Sequence, residues 1–160
     1  MGEYKIDRAG WPAGEWDTEA DRYEWRSREL PCLILRNSMG GLCGYVGIPA
    51  GHPWHVQPSS DDLDSVVSVH GGITFMHRGC SENVCHVPQP GETEDLLWVG
   101  FDCCHAGDAL PVRAMMERKY AAVRDALPYE RFETYRNITY VRAEVESLVE
   151  QVMAAARTVH

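Results

Sequence analysis

Two short apolar runs, Cys32-Leu33-Ile34-Leu35 and Leu42 to Ile48, flank the turn-forming stretch Ser38-Met39-Gly40-Gly41, and this spacing predicts a β-hairpin. With Met39-Gly40 or Gly40-Gly41 at the turn centre, Cys32 and Cys43 do not oppose one another, which argues against a disulfide between them. A further run, Leu96-Leu97-Trp98-Val99-Gly100-Phe101, has the length of a buried strand and ends in Asp102. Its pleat sends Leu97, Val99, Phe101 and Cys103 to one side and Trp98, Gly100 and Asp102 to the other. Val66 to Phe75 reads as another strand, with Ser68, His70, Gly72 and Thr74 on its polar face, so that His70 and Asp102 would share a surface.

Later in the chain the periodicity changes. Pro111 suits the first turn of a helix running to about Leu127, with Val112, Met116, Tyr120, Val123 and Leu127 inward and a stop at Pro128. A last helix from about Asn137 to Arg157 places Val141, Val145, Leu148, Val152 and Met153 opposite Arg142, Glu146 and Glu150. Strands followed by helices predict an α+β fold: a small, mainly antiparallel sheet, helices on one face and a C-terminal amphipathic helix. Residues 1–160 are expected to form one domain. Its parts would be an irregular or briefly helical lead-in over 1–29, a β-rich core over 30–108 and a helical part over 109–160. The connection from Met76 to Asp95 is longer than most loops, with a short strand expected between Asn83 and Val87.

The chain has 24 acidic and 15 basic residues, a formal charge of -9 that disfavours a nucleic-acid partner, since such binding draws on clustered Lys and Arg. A small phosphorylated ligand is compatible with it, because a few arginines can hold one within an acidic protein. No apolar run reaches the length of a membrane span, and Met1-Gly2-Glu3-Tyr4-Lys5 lacks a signal-peptide pattern, so the expected location is cytoplasmic. In that reducing setting the six cysteines are expected to be free thiols.

Asp102, His105 and Asp108 follow the Leu96 strand at three-residue spacing. A carboxylate can orient an imidazole through one ring nitrogen and leave the other as base or ligand. With His70 added, the set suits a divalent metal such as zinc held by His70, His105 and Asp108. In an enzyme, His70, Asp102 and His105 would be the catalytic groups. The same types also serve as helix caps and packed polar residues. Gly71-Gly72 and Gly100 would either floor a pocket or mark bulges. Cys80-x4-Cys85-His86 resembles part of a zinc cluster without its second half. Walker, nucleophile-elbow and zinc-deaminase motifs are missing.

Taken together, Leu42-Cys43-Gly44-Tyr45-Val46-Gly47-Ile48-Pro49 with His52-Pro53, Val69-His70-Gly71-Gly72-Ile73-Thr74, and Trp98-Val99-Gly100-Phe101-Asp102 with His105 and Gly107-Asp108 resemble an uncharacterised family of small bacteriophage and prophage proteins. Tyr135-Arg136-Asn137, Tyr140-Val141, Glu144, Leu148 and Gln151 are similar too. The resemblance implies an accessory protein acting inside an infected cell, one job of which would be to sequester a nucleotide-like defence signal. Tyr45, Trp54 and Trp98 would wall such a pocket, with His52, His70, Thr74, Asp102, His105 and Asp108 as its polar groups. The alternatives are a metal-dependent hydrolase built on His70, Asp102, His105 and Asp108, and a structural or protein-interaction domain. A homodimer completing the site across an interface is a further expectation.

Overall fold

The computed structural model describes residues 3–56, 59–120, 122, 125 and 132–157. Five strands, β1 (Arg22–Ser27), β2 (Leu30–Arg36), β3 (Leu42–Pro49), β4 (Phe75–Arg78) and β5 (Leu96–Asp102), pair antiparallel in the order β1-β2-β3-β5-β4. The helices α1 (Ser60–Asp64), α2 (Pro111–Lys119) and α3 (Ile138–Arg157) accompany them, so the class is α+β as expected. The turn is centred on Ser38-Met39, closed by the Gly40 N–H to the Asn37 carbonyl, rather than on Met39-Gly40 or Gly40-Gly41, and its register places Cys43 opposite Leu35 and Cys32 opposite Val46. The two thiols do not meet, as expected.

The pleat of β5 divides the core in two. Leu97, Val99, Phe101 and Cys103 join Cys32, Ile34, Val46 and Ile48 beneath α3, whose Val141, Val145, Leu148 and Val152 are fully buried. Gly44 permits this close approach, since a Cβ there would lie 2.6 Å from a Val145 methyl. Leu33, Leu35, Cys43, Tyr45, Leu96 and Trp98 form the opposite layer, packed by Tyr4, Phe75 and Val84.

Several expectations are corrected. β1 replaces part of the irregular lead-in: Tyr23 and Trp25 pack on the α3-side core while β1 pairs with β2 through a reversal at Arg28 and Glu29, both at positive φ. The stretch from Val66 is no strand before Phe75, because Gly71 and Gly72 take φ +70° and +83° and turn the chain at His70. Between Asn83 and Val87 there is a turn with an isolated Ser81–Val84 bridge, not a strand. α2 is described to Lys119, with Met116 and Tyr120 exposed; Val123, Leu127 and Pro128 lie outside the described residues.

Cysteine chemistry also differs from expectation. Cys32, Cys43, Cys103 and Cys104 are free, but Cys80 and Cys85 form a disulfide. The tight turn, with Glu82 at φ +47°, brings their Cα atoms within 4.8 Å, inside the bridging range. Among the described residues no helix is long and apolar enough to cross a membrane.

Arg36 ties the sheet to both ends of the chain. It is fully buried, and its five N–H groups all have partners: Nε donates to Asp21, Nη1 to the Gly40 carbonyl and the Tyr135 hydroxyl, and Nη2 to Glu19 and the Ala20 carbonyl. Burial is thereby matched with a complete set of charge-assisted bonds.

Candidate functional site

Asp108 is the centre of the site. Only 1 % exposed, it accepts the His105 backbone N–H at 3.0 Å and the Arg136 Nε–H at 3.0 Å, and its Oδ2 lies 2.8 Å from His70 Nε2. Local sequence explains the placement. The chain leaves β5 at Asp102 and reverses at Gly107, whose φ of +92° suits glycine, and Asp108 then pairs with Thr134 through a bridge and so reaches Arg136. Burial alone would raise the Asp108 carboxyl, but the His70, His105 and Arg136 bonds outweigh it and hold the group below the ordinary carboxylate value.

His70 is engaged at both ring nitrogens. Nε2 faces Asp108, and Nδ1 lies 2.8 Å from the Tyr140 hydroxyl, which donates to Glu144 at 3.2 Å. Burial, followed by the Glu144 charge and hydrogen bond, raises the Tyr140 phenol, which therefore stays neutral at physiological pH. Arg136 stacks on the Tyr140 ring with its guanidinium carbon 4.9 Å from the centroid. Among the described residues its Nε is the group that bonds to protein, so its terminal N–H groups keep capacity for a ligand.

Beside this cluster stands a second one. Asp102, one strand end away, accepts the Thr74 hydroxyl at 2.9 Å and the Cys104 backbone N–H at 3.1 Å, and its Oδ1 lies 3.3 Å from His105 Nε2. His105 Nε2 has no well-aligned hydrogen bond despite that approach. Its ring rests against the backbone at Gly71, where a Cβ would come within 2.1 Å of Nε2. The imidazoles of His70 and His105 are 6.0 Å apart, so the two clusters form one continuous polar surface.

The site residues expected from sequence divide accordingly. His70, Thr74, Asp102, His105 and Asp108 come together, although His70 meets Asp108 and Tyr140 rather than Asp102. His52 is elsewhere: its Nε2 lies 2.7 Å from the Val152 carbonyl and its Nδ1 accepts the Trp54 N–H, fastening the loop after β3 to α3. Trp54 is buried under α3, and Trp98 and Tyr45 are buried in the opposite layer, so the three aromatic residues do not wall one pocket. Arg136, Tyr140 and Glu144 belong to the site but were not assigned to it from sequence, since nothing in helical periodicity tells an inward polar residue from a solvated one.

The zinc set does not fit. With both His70 nitrogens engaged, His70, His105 and Asp108 have no common lone-pair focus, and among the described residues no group of three His, Cys, Asp or Glu side chains is placed to hold an ion. Cys80 and Cys85, joined to one another, leave the Cys-x4-Cys-His stretch without thiolates. A cysteine nucleophile is disfavoured as well: burial raises the Cys104 thiol, despite the N–H donated by Asn37 at 3.0 Å. Comparison with family profiles, curated proteins and solved structures finds no match for this chain.

Proposed function

We propose that the chain is a phage-type accessory protein that binds a small nucleotide-like molecule at the surface formed by His70, His105, Arg136 and Tyr140, withholding a defence signal from a host effector. One observation carries the reading. Polar residues from three separate segments, 70–74, 102–108 and 136–144, gather into a single network in which most groups satisfy one another. The remaining accessible hydrogen-bonding capacity lies on the terminal N–H groups of the Arg136 guanidinium, the type that meets phosphate oxygens. Most of the residues quoted for the phage resemblance within these segments fall in this network.

The competing metal-dependent hydrolase would need an ion at groups that are already paired. The reading tested first is therefore binding. Isothermal titration of the full chain with nucleoside monophosphates, diphosphates and cyclic nucleotides should give heat with at least one of them, and Arg136→Ala should weaken it by about tenfold or more. Binding indifferent to Arg136→Ala and His105→Ala would reject this surface as the site.

A further inference from the structure

A cleft of about 200 Å³ opens on the face of the sheet opposite α3, bordered by Tyr4, Tyr45, Phe75 and the Ser81–Val84 turn. We propose that it is a second ligand site, selective for a small organic cation such as an alkylammonium ion. The aromatic lining supports this first. Tyr45, Gly100 and Phe75 lie abreast across β3, β5 and β4, and the Tyr45 ring occupies the space above Gly100, where a Cβ would come within 2.4 Å of its Cδ1. Tyr45 and Phe75 consequently meet edge to face, with centroids 5.1 Å apart and planes at 84°. Tyr4 joins them, held by its hydroxyl bond of 2.7 Å to the Arg36 carbonyl. Three rings around a small space attract a cation through their quadrupoles.

Charge supports it second. Arg36 borders the cleft, but all five of its N–H donors are taken by groups elsewhere. The Asn37 amide is likewise engaged, its N–H groups directed at the Cys43 and Cys104 sulfurs and its oxygen accepting the Met39 and Gly41 N–H groups. No cationic group of the lining is left to hold an anion, whereas Glu82 supplies an exposed carboxylate at the rim. The wall is also preorganised. The Cys80–Cys85 disulfide brackets it, Val84 is buried, and Arg22 donates to the Asn83 and Cys85 carbonyls.

The test is titration of the full chain with choline chloride and with its neutral isostere 3,3-dimethylbutan-1-ol. Choline should bind, and the alcohol should bind about tenfold more weakly or not at all, because only the charge differs. Phe75→Leu should weaken choline about tenfold, and Glu82→Gln about threefold. Equal affinity for the two probes, no binding of choline, or unchanged affinity in Glu82→Gln would each overturn the proposal. Should Phe75→Leu fail to fold, the probe pair and the exposed Glu82→Gln variant still decide.

Discussion

Replacing Asp108 by Asn should destabilise the protein far more than the same change at Asp102. Asp108 is 1 % exposed and receives or faces three donors, His70 Nε2, Arg136 Nε–H and the His105 N–H. An amide retains one acceptor oxygen and turns N–H groups toward the remaining donors, leaving Arg136 without its counter-charge. Removing one partner of a buried, hydrogen-bonded ion pair costs about 3–5 kcal/mol. The Asp102 side chain is 30 % exposed and has the Thr74 hydroxyl and one backbone N–H as its bonded donors. Its loss there should be about 1 kcal/mol. Urea unfolding followed by tryptophan fluorescence would measure both, and at this chain length the Asp108→Asn deficit corresponds to roughly 10 °C in Tm. A loss below about 1 kcal/mol for Asp108→Asn would refute the claim that this carboxylate organises the site. The pH dependence has a definite sign. Asp108 has a folded-state value below its unfolded one, so its contribution is complete above the unfolded carboxylate value and disappears as pH falls through the lower folded value. Asp108→Asn should therefore be less sensitive to acid than the parent protein across that window.

Three other outcomes follow from the same contacts. Arg36→Met should cost about 3–5 kcal/mol in the same unfolding assay, since it leaves Glu19 without its buried cation and Asp21 with Arg8 as its remaining one, while Tyr135→Phe, removing the bonds to both Arg36 and Glu19, should cost about 1–3 kcal/mol. Gly71→Ala should displace His105, because φ is +70° and the new methyl would collide with its ring; His105 NMR signals should shift, with a stability loss of about 1–2 kcal/mol. Reducing Cys80–Cys85, or replacing both cysteines by Ala, should cost about 2 kcal/mol for so short a loop and raise amide exchange over Ser81–Val84 without altering exchange in β2 and β3.

What the sequence reveals about this fold depends on how local the signal is. β2, β3, β5 and α3 were legible because each has an apolar pattern of the right period and a clear end, such as Gly40-Gly41 or Asp102. β1 was missed although Arg22-Tyr23-Glu24-Trp25-Arg26 alternates; the polar and aromatic composition around it obscured the period of two. Val66 to Phe75 failed for the opposite reason. Its alternation is real, but two glycines at positive φ convert it into a turn that carries His70 toward Asp108. At the site, the polar residues near β5 could be found from the interruption of apolar runs. Their partners could not, because Arg136 and Tyr140 reach them only through the Asp108–Thr134 bridge and the start of α3, contacts with no local sequence signature. The aromatic wall does not form because the sheet separates Trp54 from Tyr45 and Trp98, which are themselves buried in the opposite layer.

Native mass spectrometry of the full chain and of Arg136→Ala, each mixed with the same panel of nucleoside phosphates and cyclic nucleotides, tests the central claim most directly. The account predicts a complex of one phosphate-bearing molecule per chain that survives gentle ionisation and is lost in Arg136→Ala while the variant stays folded. A chain that retains no member of the panel, or that holds one equally well without Arg136, would contradict it.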